Sequence, residues 1–210
     1  MNGVIVTGTD TGIGKTVLAA GLAGALAREH GRARYWKAIQ AGLEDEIDSA
    51  AVARLAPGVC IHPEAYRLET PASPHFAAML DGVTIDPAKL KPPAGDSPLV
   101  IEGAGGALVP LSEGLLYVDI FARWSLPVVI AARTSLGTIN HTLLTIEALR
   151  ARGCVIAGVA FIGDVHEENE RIIPVISGIP RLGRLPLLTS LDAETLAAAI
   201  AANFDLAMLR

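Results

Sequence analysis

Gly8-Thr9-Asp10-Thr11-Gly12-Ile13-Gly14-Lys15-Thr16 is the stretch of this sequence best equipped for chemistry. Its glycines let backbone N–H groups converge on phosphate oxygens, and a helix opening there adds the positive end of its dipole. Lys15 has the reach for β- and γ-phosphates, and the Thr16 hydroxyl is a ligand for Mg2+. The spacing Gly-x5-Gly-Lys-Thr is one residue longer than the common phosphate loop. The loop follows the apolar run Val4-Ile5-Val6 and leads into helical sequence from about Lys15 to Glu29. In that context Gly12, Ile13, Gly14, Lys15, Thr16 and Val17 read as a nucleoside triphosphate site.

Such a site needs carboxylates for its metal ion. Glu102 closes the apolar run Leu99-Val100-Ile101 and is followed by Gly103-Ala104-Gly105-Gly106. A carboxylate at the end of a buried strand is costly unless a cation meets it, and the glycines allow close approach to a ligand. The competing role is a turn cap. Asp48, after Glu44, Asp45 and Glu46, is a second carboxylate, with the N-cap of a helix over Ser49–Leu55 as its competing role. Lys37 ends a strand expected beside the phosphate-loop strand. It either snorkels to the surface or supplies a second cation for a transferring phosphoryl group.

Positioning these groups falls to an alternation of strands and helices. Strands are expected at Arg34–Ile39, Pro98–Glu102, Leu126–Ala131, Val155–Ala160 and Leu182–Leu185, with helices at Thr138–Arg152 and Asp192–Asn203. Right-handed crossovers then give an α/β fold, a three-layer, P-loop NTPase-like parallel sheet with helices on both faces. Residues 57–97 carry seven prolines and read as a long insertion within one domain spanning 1–210.

Composition narrows the classes. The chain is 51% hydrophobic and only 4% aromatic, with a mean hydropathy of +0.44. That suits buried strands under Ala-rich helices and excludes a disordered chain. A net charge of −5 with scattered Lys and Arg argues against nucleic acid or an anionic membrane as partner. Cys60 and Cys154 lack CxxC spacing and are expected as buried thiols of a reducing compartment, and the five histidines offer no paired zinc motif. The N-terminus starts directly in a strand pattern without a basic leader, and no apolar run reaches the roughly 18 residues of a membrane span. A cytoplasmic location is the expectation.

Taken together, the motifs resemble those of the dethiobiotin synthetases, ATP-dependent enzymes that close the ureido ring in biotin synthesis. Val6-Thr7-Gly8-Thr9-Asp10-Thr11 with Gly14-Lys15-Thr16 is similar to their extended phosphate loop. Lys37-Ala38-Ile39-Gln40-Ala41-Gly42, Pro71-Ala72-Ser73-Pro74-His75, Glu102-Gly103-Ala104-Gly105-Gly106 with Pro110-Leu111, and Leu136-Gly137-Thr138-Ile139-Asn140-His141 resemble further family segments in the same order. The resemblance implies ATP and Mg2+ as cofactors, and 7,8-diaminononanoate and CO2 as substrates. One amine captures CO2 as a carbamate, the γ-phosphate passes to it, and the other amine closes the ring. It implies Lys37, Lys15 and Thr11 as catalytic residues and Thr16, Asp48 and Glu102 as metal ligands. Gly163 and Pro186 join the nucleotide site, while Lys37, Ala41, Gly105, Leu136, Gly137, Thr138 and Asn140 bind substrate. It also implies a homodimer in which the 136–140 loop reaches the partner's site and holds the distant carboxylate, the competing role for Thr138 being an ordinary N-cap.

The chain departs from the family pattern at defined places. Ala41 stands where a Ser or Thr hydroxyl is usual, Ala38 where Pro is usual, and Gly12 where some members have Glu. Ile162 aligns with the Asn that reads adenine. The base then falls to Asp164 or to backbone groups around 183–187, and discrimination among nucleoside triphosphates is expected to weaken. The alternative to the ligase is a regulatory or partitioning P-loop ATPase without a small acceptor; such proteins usually carry an extra Lys early in the loop, which residues 8–11 lack.

Overall fold

The computed structural model describes residues 3–209; Met1 and Asn2, expected at the entry to the first strand, lie outside the described residues. The chain opens with β1 (Gly3–Gly8), turns through the glycine-rich loop and enters α1 (Lys15–His30). β2 (Arg34–Lys37), β3 (Ile39–Ala41), α2 (Asp48–Leu55), β4 (Cys60–His62), β5 (Tyr66–Leu68) and α3 (Pro74–Leu80) follow. The second half runs through β6 (Leu99–Gly106), the short pair β7 (Pro110–Ser112) and β8 (Leu115–Leu116), and α4 (Tyr117–Trp124). It ends with β9 (Val128–Arg133), α5 (Thr138–Arg150), β10 (Ile156–Ile162), α6 (Glu167–Ser177), β11 (Arg181–Leu185) and α7 (Ala193–Asn203).

Seven strands form one sheet in the order β11-β10-β9-β1-β6-β2-β4, and every pairing in it is parallel. Side chains alternate across it, so each strand feeds two cores. Val4, Val6, Val100 and Val129 pack under the Leu and Ala residues of α1, with α2 and α7 on the same side. Ile5, Ile101, Ile130 and Phe161 pack against Ile120, Phe121, Ile146 and Ile173 of α4, α5 and α6. Tyr117, Phe121, Trp124 and Trp36 make one aromatic cluster on that second face, with ring centroids 4.9–6.2 Å apart.

The expected layered parallel α/β fold is present, with three local corrections. The strand expected over 34–39 is broken at Ala38: β2 belongs to the main sheet, whereas β3 pairs with β5 in a separate two-stranded sheet. β2 does not lie beside the phosphate-loop strand, because β6 sits between them; β1 pairs with β6 and β9, and β2 with β6 and β4. The long connection through residues 42–98 returns the chain to the middle of the sheet. The cysteines are not buried thiols either. Cys60 is exposed on the edge strand β4 and Cys154 is partly buried, both free. Among the described residues, no helix is long and apolar enough to cross a membrane.

Candidate active site

The carboxyl ends of β1, β6 and β2 meet α1's first turn and the first turn of α2. Register does this: Lys37 is paired with Glu102, and Val6 with the same Glu102 on its other side. Tyr35 and Lys37 therefore share a sheet face with Val100 and Glu102, the face covered by α1. Five polar side chains converge there. Thr16 Oγ1 lies 2.8 Å from both Asp48 Oδ1 and Glu102 Oε1. Lys37 Nζ donates to Asp48 Oδ2, and to Glu102 Oε1 at 3.3 Å. Tyr35 Oη donates to Glu102 Oε2 at 2.7 Å. Glu102 is 1% exposed and Lys37 5%, so each charge is held by its partners rather than by water.

Of the two roles open to Asp48, the structure excludes the N-cap. Helix α2 begins at Asp48 itself, its cap position is Ile47 and that residue makes no side-chain cap bond. The Asp48 N–H instead reaches Gln40 Oε1 at 3.3 Å. Of the two roles open to Lys37, surface snorkelling is excluded by burial. Thr138 is likewise not the N-cap of α5; Gly137 holds that place at φ 93°.

The two lysines differ electrostatically. Burial lowers the Lys15 ammonium to about 8, opposed by the charge of Glu102. Its Nζ donates to the Asp10 carbonyl at 2.7 Å, closing the loop on itself. Burial pushes Lys37 the same way, but Glu102 and Asp48 outweigh it and hold the group above its ordinary value. Lys37 is a fixed cation; burial brings Lys15 down to about 8, so it loses its charge above that value.

A cavity of about 560 Å³ opens over this cluster, lined by Thr11, Gly12, Gly14, Lys15 and Thr16 on one side and by Lys37, Gln40, Ala41 and Asp48 on another. Pro71-Ala72-Ser73-Pro74 and Ala104, Gly105 and Val109 complete the wall. Gly14 has φ 93°, and a β-carbon there would lie 3.3 Å from Ile162. Gly105 has φ 63°; a β-carbon would meet Val109 at 2.8 Å and Thr11 Oγ1 at 3.3 Å. Both positions need glycine for their positive φ, and at Gly105 a side chain would also crowd the cavity wall at Val109 and Thr11. Ile13 is buried under the loop and Val17 packs into the α1 core.

Other expected site residues lie apart from this cavity. Gly163 and Pro186 follow the ends of β10 and β11, one and two strands beyond β9 in the sheet. The Gly163 N–H donates to Leu185 O at 3.0 Å and its carbonyl accepts from Arg184 at 2.9 Å. Leu136, Gly137, Thr138 and Asn140 sit at the start of α5, and none lines this chain's own cavity; Leu136 is 99% exposed. Tyr35 and Gln40 escaped sequence reasoning, because their contacts depend on strand register, which no motif spells out.

The donor set suits Mg2+. Thr16 has one hydroxyl hydrogen for two carboxylate oxygens at the same 2.8 Å, so one oxygen pair is always left without a proton between them. A hard divalent cation fits that surplus of oxygen lone pairs.

Comparison with known proteins agrees with this geometry. A family model described as an AAA domain matches residues 2–195. The solved Pyrococcus furiosus cell division ATPase MinD aligns with a TM-score of 0.58 at 16% identity, over 96% of this chain and 99% of that one. The Aquifex aeolicus MinC:MinD complex gives 0.60 at 15%, over 95% and 86%. At such identities only the fold is shared, that of P-loop ATPases. The sequence relatives are much nearer. An ATP-dependent dethiobiotin synthetase BioD of Rhodopseudomonas palustris (strain HaA2) is 62% identical over 96% of this chain and 93% of its own length. That of Sphingopyxis alaskensis is 59% identical over the full length of both, and that of Agrobacterium fabrum 59% identical over 97% and 94%. With the phosphate loop, the paired carboxylates and the lysine all in place, this chain belongs to the family of ATP-dependent dethiobiotin synthetases, enzymes of the cyclo-ligase type.

Proposed function

We propose that this site carboxylates 7,8-diaminononanoate with CO2 and closes it to dethiobiotin, at the expense of ATP. One amine attacks CO2, forms an N–C bond and loses a proton, leaving a carbamate. A carbamate oxygen attacks the γ-phosphorus, the bond to the β-phosphate oxygen breaks, and ADP leaves. The second amine attacks the carbonyl carbon of this carbamic-phosphoric anhydride. Phosphate leaves with the electron pair of the C–O bond, the amine loses its proton and the cyclic urea forms.

The observation that carries this reading is the placement of Lys15, Lys37, Thr16, Asp48 and Glu102 around one cavity. Two anions, a carbamate and a triphosphate, must be brought within reaction distance. Fixed cations lower that repulsion without reorganising during the step. Lys37 neutralises the carbamate and the transferring phosphoryl group. Lys15 and the N–H groups of Gly12 to Val17 hold the β- and γ-phosphates, and Thr11 offers its hydroxyl to phosphate or carbamate. Thr16, Asp48 and Glu102 would hold Mg2+, which would neutralise charge on the phosphate oxygens. Ala41 offers the substrate amines a methyl group where a hydroxyl would donate a hydrogen bond.

The base lies towards Gly163 and Pro186. The diamine's distant carboxylate is held by the 136–140 loop of a second copy in a homodimer, a role supported by full exposure of Leu136 beside the N–H groups that open α5. The whole chain works as one domain in the cytoplasm, consistent with its free cysteines. The test is an oxygen label. With [18O]bicarbonate, the released phosphate should carry one labelled oxygen, because the attacking carbamate oxygen leaves with phosphorus. Dethiobiotin formed with unlabelled phosphate would contradict the anhydride.

A further inference from the structure

Two tyrosine hydroxyls are fully buried near Glu102, and they differ. Tyr117 Oη has no hydrogen-bond partner among the described residues. Tyr35 Oη donates to Glu102 Oε2 at 2.7 Å from a residue that is 0% exposed. Neither tyrosine lines the cavity, so Tyr35 reaches the chemistry only through the carboxylate.

We propose that Tyr35 is a positioning residue for the divalent metal site: its hydroxyl pins Glu102 so that Oε1 alone faces Thr16 and Lys37. The proposal rests on the reading of Thr16, Asp48 and Glu102 as the Mg2+ ligands. A buried carboxylate with one satisfied oxygen can turn about its last side-chain bond and exchange its two oxygens. Tyr35 removes that freedom by taking Oε2, the oxygen that neither Thr16 nor Lys37 contacts. The phenol is held from behind by register, since Tyr35 pairs with Val100 and Ile61 across β6 and β4. Glu102 accepts from Lys37 and Tyr35 and shares the Thr16 hydroxyl with Asp48, and the Thr16 and Lys37 contacts lie on the cavity side. Outer partners of this kind orient ligands before the metal arrives, and their loss typically costs metal affinity without removing a ligand.

The test is Mg2+-dependent ADP binding by calorimetry in wild type, Tyr35→Phe and Tyr117→Phe, with a parallel measurement in EDTA. Tyr35→Phe should raise the Mg2+ midpoint roughly 10–100-fold while leaving ADP affinity in EDTA unchanged, and turnover should recover at high Mg2+. Tyr117→Phe, which removes an unpartnered hydroxyl near the same carboxylate, should match wild type. Binding stoichiometry reports the folded fraction, so a poorly folding preparation lowers the stoichiometry and leaves the midpoint readable. A Tyr35→Phe midpoint equal to wild type, or an equal loss of ADP affinity in EDTA, overturns the proposal. A wild type whose ADP affinity ignores Mg2+ overturns both the proposal and the metal reading beneath it.

Discussion

Lys15 and Lys37 carry the same charge into the same cavity, and their surroundings give them different work. Lys37 is locked between Glu102 and Asp48, so its charge persists over the whole working pH range. Lys37→Ala should lower turnover roughly 100–1000-fold, the scale of a lost preorganised donor, with ADP affinity close to wild type by calorimetry. Lys15, lowered by burial to about 8, binds phosphate only as the cation. Its protonated form dominates below that value, so ADP affinity should hold up to about pH 8 and fall above it; an affinity flat from pH 7 to 9.5 would contradict the assignment. Lys15 and Thr16 were legible in the phosphate-loop motif, whereas Lys37, Asp48 and Glu102 were singled out with a second role left open for each, and the fold then groups all five. Tyr35 was not singled out. Its partner lies 67 positions away, and only the pairing of β2 with β6 brings the two onto one face.

Among the elements, the apolar runs announced β1, β6, β9 and β10, because strands buried on both faces leave little room for polar residues, while β11, with Arg181 and Arg184, was read only as a short strand near Leu182–Leu185. Their order across the sheet was not announced. Lys37 was expected beside the phosphate loop, yet β6 intervenes, and the site still closes because Glu102 on β6 bridges both neighbours. Helices α3, α4 and α6 lay outside the sequence reading. The first two have only 7 and 8 residues. The third carries Pro174 in its interior and Glu167, Glu168 and Glu170 in its first turn. At the ends of β10 and β11, Ile162 packs against Gly14 and offers no hydrogen bond to a base. Initial rates with ATP, CTP and GTP should therefore differ by less than about a hundredfold, some 2.7 kcal/mol; a larger preference for ATP would place a base-reading group elsewhere in this region.

For the whole molecule, the proposed reaction calls for two copies. The cavity is assigned to the phosphates and the reacting amines, whereas the loop assigned to the distant carboxylate exposes Leu136 and does not line that cavity. The resemblance already assigns that loop to a partner's site, and the fold adds that none of Leu136, Gly137, Thr138 and Asn140 lines the chain's own cavity. Mixing equal amounts of inactive Lys37→Ala and Asn140→Ala proteins should restore about a quarter of wild-type activity, since half the dimers are mixed and each carries one intact site. No restoration would assign the loop to its own chain. The central claim is that ATP is consumed only to join CO2 to a diamine. Phosphate release by the purified protein with ATP and Mg2+ should be negligible alone, negligible with either 7,8-diaminononanoate or bicarbonate, and rapid with both; release at the same rate without them would contradict the ligase and favour an ATPase without a small acceptor.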